Sequence, residues 1–99
     1  MDFKNKHFHF VGIGGISLSA LALFVLEKGA LVTGSDLVSS RITQRLEQCG
    51  VKIFFSHEKS HVFGADYVIF SGAISEDNPE IKEAQKLAIK ARRFALFII

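Results

Sequence analysis

Cysteine, an excess of one charge and long apolar runs are all scarce in this sequence. The single cysteine, Cys49, excludes an internal disulfide and indicates a reducing cytoplasm. The 99 residues carry a formal net charge of only +2, so the sequence lacks the strong basic excess typical of nucleic-acid-binding domains. The unbroken apolar run 18–26 is far shorter than the roughly 20 residues of a membrane-spanning helix. No small-residue cleavage site follows it to make a secretory signal. We therefore expect a cytoplasmic protein without a nucleic-acid or membrane partner.

Apolar residues, in contrast, are abundant. Hydrophobic residues make up 48% of the chain, with ten phenylalanines and one proline, and the mean hydropathy is +0.28. This composition is typical of a parallel sheet buried on both faces, and it also suits a fragment whose partner surface is missing. The length allows one domain with a genuine core.

Segments that favour strand alternate with segments that favour helix. The predicted strands are 8–11, 31–33, 51–55 and 67–70, and the predicted helices are 16–28, 41–49 and 79 to about 90. Between 56 and 66 we expect a loop with one short helical turn. Ser39 or Ser40 is suited to cap the second helix, and Pro79 to begin the third. The alternation predicts an α/β fold, a Rossmann-like doubly wound parallel sheet of about five strands in three αβα layers.

The last residues, 94–99, are almost wholly apolar. They are either a final strand of the sheet or the first turns of a helix whose remainder is absent. On both interpretations we expect the chain to be part of a longer protein.

Residues 8–17 combine a strand, a glycine turn and the start of a helix. Gly12, Gly14 and Gly15 allow a tight turn and a close approach of the backbone to a ligand. The free amides at the helix start, together with the helix dipole, attract phosphate. Ser17 replaces the last glycine of Gly-x-Gly-x-x-Gly, and its hydroxyl either donates to a phosphate or simply starts the helix. The pattern predicts an anion site.

Ligands of a doubly wound sheet bind beyond the carboxyl ends of the strands, where the strand order reverses. The loops expected at that edge are 12–17, 35–36, 56–57 and 71–78. Asp36 lies close to the roughly 20-residue spacing at which an acid accepts hydrogen bonds from ribose hydroxyls. Such a carboxylate would repel a ribose phosphate, although an ordinary turn residue is the alternative.

Residues 57–61, His-Glu-Lys-Ser-His, match the His-Glu-x-x-His string of zinc proteases. That chemistry needs two turns of helix, so that both histidines share one face. Here a strand ends at Phe55 and Gly64 leaves little room for a helix. Glu76 or Glu80 would be candidates for a third ligand, but no pattern places either nearby, so we expect no metal site.

The remaining histidines and the cysteine have ordinary structural interpretations. His7 and His9 alternate with phenylalanines, so we expect them on a strand surface rather than as ligands. Cys49 falls on the apolar stripe of the second predicted helix, where we expect it to pack as a small hydrophobic residue.

With these features placed, the sequence resembles the N-terminal domain of the Mur ligase family. The stretches that carry the resemblance are HFVGIGGI (9–16), SALA (19–22), TGSD (33–36), TQRL (43–46), SGAI (71–74) and DNPEI (77–81). They occur in the family's order over nearly the whole chain, which is more specific than one glycine motif. Ser17 and Ser56 stand where the family usually has glycine, and these departures concern fine loop geometry.

The resemblance implies that residues 1–99 are the UDP-sugar-binding domain, truncated at its C-terminal edge, of a peptidoglycan-synthesis ligase that adds L-alanine to UDP-N-acetylmuramate. The implied contacts are the backbone at Gly12, Gly14, Gly15, Ile16 and Ser17 for the diphosphate, and Asp36, His57 and Ser71 around the uridine or the sugar. It also implies that Arg92 or Arg93 begins the connection to the next domain, which favours the helix for 94–99.

The chemistry implied by the family uses ATP and magnesium to activate the muramoyl carboxylate. Its phosphate loop ends in Gly-Lys-Thr or Gly-Lys-Ser, and no lysine follows a glycine here. The resemblance therefore implies a substrate-holding module without catalytic residues or a cofactor of its own, whose partners are the central and C-terminal domains of the same chain. The alternatives are an NAD-binding domain that uses the same turn and Asp36, a sister ligase that attaches a recycled peptide, and a structural remnant without a ligand.

Overall fold

The computed structural model describes residues 2–94, and side chains as far as Lys90. Five parallel strands form one sheet in the order β3-β2-β1-β4-β5. The strands are β1 (His7–Val11), β2 (Leu31–Ser35), β3 (Lys52–Phe54), β4 (Tyr67–Ser71) and β5 (Lys90–Phe94). The helices are α1 (Ile16–Glu27), α2 (Arg41–Gln48) and α3 (Pro79–Lys86), with a 3-10 turn at Lys59–Val62.

The strand order reverses beside β1. From β1 the chain moves outward through β2 and β3, then returns to place β4 on the other side of β1 and β5 beyond it. Phe10 of β1 pairs with Gly34 of β2 on one side and with Ile69 of β4 on the other. The crevice between the carboxyl ends of β1 and β4 is therefore the place where such sheets bind ligands.

The sheet is covered on both faces, which confirms the three-layer prediction. One face packs against α1 and α2 through a cluster that includes Phe8, Phe10, Leu18, Ala22, Leu46 and Ile53. The other face packs against the 3-10 turn and α3 through a cluster that includes Val11, Val62, Val68, Phe70, Ile81 and Ala84. Alternating residues of β1 contribute to the two clusters, as successive side chains of a strand must.

Local sequence signals set the helix ends. Ser40 caps α2, since its hydroxyl accepts the Thr43 amide while the Thr43 hydroxyl accepts the Ser40 amide. Asn78 caps α3 by accepting the Glu80 amide at 2.9 Å, and Pro79 occupies the first helical position. These observations confirm the predicted start of α3 at Pro79 and select Ser40 as the cap of α2.

The structure corrects the prediction at the C-terminal end. Helix α3 ends at Lys86, not near residue 90, and β5 follows at Lys90–Phe94. Arg92 and Arg93 pair with β4, so they lie within the sheet instead of beginning a connection, and the preferred helix is wrong at Phe94. Pairing with the free edge of β4 decides this, because strand formation depends on such a partner more than on local preference. The rest of the predicted 94–99 segment lies outside the described residues.

Two side-chain predictions were also wrong. His9 is fully buried rather than on a surface, because β1 is the central strand and both of its faces are covered. Cys49 is exposed, because it is the C-cap of α2 and lies beyond the buried Thr43 and Leu46. Among the described helices, none has the length and hydropathy needed to cross a membrane.

Candidate functional site

The glycine turn after β1 is fastened to the end of β2. The amides of Gly12 and Ile13 both donate to the Ser35 carbonyl, at 2.8 and 3.0 Å. Gly12 has a φ of 81°, a left-handed conformation that glycine adopts without strain. The Ile13 side chain fills the space beside Gly34, where a Cβ would lie 2.4 Å from Ile13 Cδ1. The turn is thus held by its backbone hydrogen bonds to Ser35 and by the packing of Ile13 against Gly34.

Two of the predicted anion-binding amides are bonded within the protein. The Gly14 amide donates to Asp36 Oδ2 at 2.8 Å, and the Gly15 amide donates to the Gly12 carbonyl at 3.1 Å. The first bond of α1 is donated by the Ser19 amide to the Gly15 carbonyl. Helix α1 has no side-chain cap. The amides at helical positions 16–18 therefore precede the hydrogen-bonded ladder of the helix.

The Asp36 carboxylate connects two loops at this edge. Besides Gly14, it accepts the Val38 amide through Oδ1 at 3.1 Å, and the Asp36 amide donates to the Phe54 carbonyl of β3. The structure brings this predicted site residue to the glycine turn, but with its carboxylate engaged by backbone amides. Its observed role is that of a brace between the ends of β1 and β2.

Below the same edge, the carboxylate of Glu80 is completely buried. Its Oε1 accepts hydrogen bonds from His9 Nε2 at 2.5 Å and Ser35 Oγ at 2.8 Å. Its Oε2 lies 3.1 Å from His57 Nδ1, 3.0 Å from His61 Nδ1 and 3.2 Å from the Glu58 amide. We call this group, formed by His9, Ser35, His57, His61 and Glu80, the Glu80 cluster.

These contacts keep Glu80 ionised. Burial alone would raise its pKa, but hydrogen bonds from His9, His61 and Ser35, with the charge of His9, outweigh burial and lower the pKa to about 2. An ionised carboxylate only accepts hydrogen bonds, so each polar neighbour must present a proton to it. No buried polar side-chain atom of the described residues lacks a partner, so every buried polar atom of the cluster is hydrogen-bonded.

The cluster gathers residues from β1, β2, the loop after β3, the 3-10 turn and α3. His57 follows β3, and its Nδ1 also lies 3.0 Å from Ser35 Oγ. His61 belongs to the 3-10 turn, and its ring stacks on Phe54 at a centroid distance of 3.9 Å. Both histidines of the His-Glu-x-x-His string thus face Glu80. Within residues 2–94, no group of three His, Cys, Asp or Glu side chains is arranged to hold a metal ion.

A chain of hydrogen bonds continues from the Glu80 cluster along the sheet. His9 Nδ1 and His7 Nε2 each lie 2.8 Å from the Thr33 hydroxyl. Burial lowers the pKa of His7, and the neighbouring His9 lowers it further, against opposing effects of Gly64 and Asp66. His7 is therefore biased towards its neutral form.

Ser71 lies at the carboxyl end of β4, on the other side of the strand reversal. Its carbonyl accepts the Ile74 amide at 3.1 Å, which closes a turn. That turn brings Ile74 over the glycine turn, where a Cβ at Gly12 would lie 3.0 Å from Ile74 Cδ1. The loop after β4 thus contacts the predicted anion site through an apolar side chain.

Apolar side chains are exposed around this edge. Ile16 is 82% exposed at the start of α1, and Leu37 and Val38 are 67% and 65% exposed after β2. A separate cavity of about 300 Å³ lies at the other end of the sheet, since His7, Leu31 and Lys52, at the amino ends of three strands, line it. The cavity is therefore distinct from the carboxyl-edge site.

Sequence reasoning missed the Glu80 cluster as a unit. Glu80 was expected only as the second residue of a helix or as an unplaced metal ligand, and Ser35 only as part of a turn. One signal was available for His9, because a histidine in the central strand of a sheet covered on both faces must be buried. Nothing in the sequence indicated that the start of α3 packs against the ends of β1 and β2.

The family is decided by comparison with known proteins. A model described as the Mur ligase family, catalytic domain, matches residues 7–98. This chain belongs to the Mur ligase family. The chain is 50% identical over 96 residues to a UDP-N-acetylmuramate–L-alanine ligase of Campylobacter jejuni (strain 81116), covering 95% of this chain and 22% of that protein. It is 47% identical to the same-named protein of Clostridium botulinum (strain Okra), covering 96% and 21%.

Solved structures of Mur ligases have the same fold. A crystal structure of the UDP-N-acetylmuramate-alanine ligase of Thermotoga maritima superposes with a TM-score of 0.84 at 37% identity, over 88% of this chain and 20% of that one. A murein peptide ligase of Psychrobacter arcticus superposes with a TM-score of 0.81 at 29% identity, over 89% and 19%. This Mur ligase chain therefore spans about a fifth of the length of its relatives.

Proposed function

We propose that this chain binds the uridine diphosphate part of UDP-N-acetylmuramate, as the substrate-holding domain of a ligase that attaches L-alanine to it. The observation that carries the proposal is the uncapped start of α1 beside the strand reversal, where the amides of residues 16–18 precede the helical ladder. Such amides and the helix dipole favour a diphosphate. The printed names of the relatives supply the nucleotide sugar and the amino acid.

The proposed contacts divide into two groups. The amides of Ile16 and Ser17 bind the diphosphate, while the glycines at 12, 14 and 15 shape the turn that presents them. Asp36, His57 and Ser71 stay predicted neighbours of the uridine or the sugar, since they end or follow β2, β3 and β4 at the same edge. The exposed Leu37 and Val38 add apolar surface against which a base packs.

The other parts of the reaction belong to a longer ligase. No lysine follows a glycine in the sequence, so we assign the ATP and the magnesium of the reaction to other domains. Both stay predictions for the longer ligase, as do its further domains and its cytoplasmic location.

A backbone amide titration tests the proposal. Amide shifts of residues 12–17 are followed as UDP-N-acetylmuramate, UDP or NADH is added to the chain. We expect both uridine nucleotides to move these amides and NADH to leave them in place. Shifts with NADH alone would favour the dinucleotide-binding alternative, and no shift with any of the three would favour a remnant without a ligand.

A further inference from the structure

The buried position of Glu80 has a consequence for His57 that extends the proposed function. His57 is one of the predicted ligand contacts, and its ring is held by hydrogen bonds to Ser35 and Glu80, two other members of the Glu80 cluster. Its side chain is 14% exposed, whereas that of Glu80 is fully buried. The ring therefore has one nitrogen inside the protein, while part of the side chain remains accessible.

The inner nitrogen of His57 must carry a proton. His57 Nδ1 lies 3.1 Å from the ionised Glu80 and 3.0 Å from Ser35 Oγ. The Ser35 hydroxyl uses its only proton on Glu80, so its oxygen is left to accept. Both neighbours of Nδ1 are thus acceptors, and Nδ1 is the donor to them.

The outer nitrogen of the neutral ring is then bare. A neutral imidazole has one N–H and one lone pair, so a proton on Nδ1 leaves Nε2 as an acceptor. Nε2 of His57 has no hydrogen-bond partner among the described residues. Every buried side-chain nitrogen or oxygen of these residues does have a partner. Since Nε2 has none, it is not buried, and a ligand can reach it.

We propose that Glu80 is a positioning residue, which fixes His57 in the tautomer with a bare Nε2 so that this histidine accepts a hydrogen bond from the bound nucleoside. The proposal rests on the proposed function. The shared chemistry of the ligand is a hydrogen-bond donor, which uridine offers as the imide N–H of its base and as its ribose hydroxyls. The other contacts of Glu80 come from His9 on β1, Ser35 on β2, and His61 and the Glu58 amide at the 3-10 turn, so three elements hold the carboxylate in place.

The unaltered chain provides the first test, through the imidazole ¹⁵N resonances of His57. We expect the neutral ring to carry its proton on Nδ1 and none on Nε2, and the Nε2 resonance to move when UDP is added. A protonated Nε2 in the neutral ring overturns the inference. So does a titration in which UDP moves the amides of residues 12–17 but leaves Nε2 unchanged.

Ligand analogues identify the donor. N3-methyl-UDP lacks the imide proton, and 2′,3′-dideoxy-UDP lacks the ribose hydroxyls. The analogue that lacks the donor used should bind about tenfold more weakly than UDP, the effect of one buried hydrogen bond. Equal affinity of all three overturns the inference and leaves the diphosphate contact intact, whereas failure of UDP itself to bind overturns the proposed function with it.

Two substitutions separate positioning from a general structural role. Glu80→Gln keeps a carbonyl oxygen, which the three donors around Oε2 select, so His57 should keep both its tautomer and its affinity for UDP. Glu80→Met removes the acceptor, so both tautomers should appear, and affinity should fall about two- to fivefold because only the fraction of rings with a bare Nε2 binds. Loss of affinity in a folded Glu80→Met chain without any change of tautomer contradicts the inference, and if this variant does not fold, the spectra of the unaltered chain decide.

Discussion

Asp36 Oδ2 accepts a hydrogen bond from the Gly14 amide at 2.8 Å. The sequence predicts that the Asp36 carboxylate accepts hydrogen bonds from ribose hydroxyls. In the structure it is bonded to the backbone of the turn that we propose holds the diphosphate. The same carboxylate accepts the Val38 amide, so its removal should loosen both loops.

The first prediction tests this brace. Asp36→Ala should lower the free energy of unfolding by about 1–2 kcal/mol, since two charge-assisted hydrogen bonds at a half-exposed site are lost. Asp36→Asn retains an acceptor oxygen and should recover at least half of this loss. Urea unfolding at pH 7 measures both. If Asp36→Ala abolishes UDP binding while stability is unchanged, Asp36 contacts the ligand and is not mainly a brace.

The second prediction removes one amide from the proposed anion site. Proline is favoured at the first position of a helix, and Gly15 has φ −65° and ψ 147°, an extended conformation that suits a residue before proline. Ile16→Pro should therefore fold normally but bind UDP about tenfold more weakly. Isothermal titration calorimetry measures the change.

The matched control is Ile16→Ala, which removes the same exposed side chain but keeps the amide. Its affinity for UDP should stay within about threefold of the unaltered chain. Equal weakening by both variants would mean that the Ile16 side chain, and not its amide, contacts the nucleotide.

The third prediction concerns the packing beneath the turn. Gly34 is buried in β2, and a Cβ there would lie 2.4 to 2.9 Å from three atoms of Ile13. Gly34→Ala should cost about 2 kcal/mol, because an overpacked core must shift, and should lower Tm by about 10 °C. Thermal unfolding followed by circular dichroism measures the change.

A double-mutant cycle shows whether Ile13 is the cause. In an Ile13→Ala background the added methyl has room, so the cost of Gly34→Ala should fall by about 1 kcal/mol or more. An unchanged cost would place the strain elsewhere in β2.

The fourth prediction is a loss of stability in acid. Glu80 has a pKa of about 2 in the folded chain against 4.5 as its ordinary value. Because the folded pKa is the lower one, the stabilisation is complete above pH 4.5 and is lost as the pH falls towards 2. The difference corresponds to about 3 kcal/mol. The lowered pKa of His7 also makes the folded chain less stable in acid, and this loss begins as the pH falls below 6.5.

Urea unfolding of the unaltered chain and of Glu80→Gln between pH 7 and pH 2 isolates the Glu80 contribution. The difference in unfolding free energy between the two should be constant above pH 5 and shrink below pH 4.5. A difference that does not change across this range would show that Glu80 carries no stabilising charge.

Sequence patterns determined the succession of strands and helices along the chain as far as the start of α3, the caps of α2 and α3, and the glycine turn. These features depend on neighbours a few residues apart. Ser40 and Thr43 bond each other within one turn, and Pro79 fits the first turn of any helix. The family resemblance in the sequence, which the comparisons confirm, rests on the same local stretches.

Only the tertiary structure decided the Glu80 cluster, the burial of His9 and the strand at Lys90–Phe94. Glu80 and His9 are 71 residues apart in the chain, and an acidic residue in the first turn of a helix is equally well placed when it is exposed to solvent. A buried carboxylate needs donors from several elements at once, and no local pattern specifies how those elements meet. Likewise, Lys90–Phe94 becomes a strand because β4 offers it a free edge.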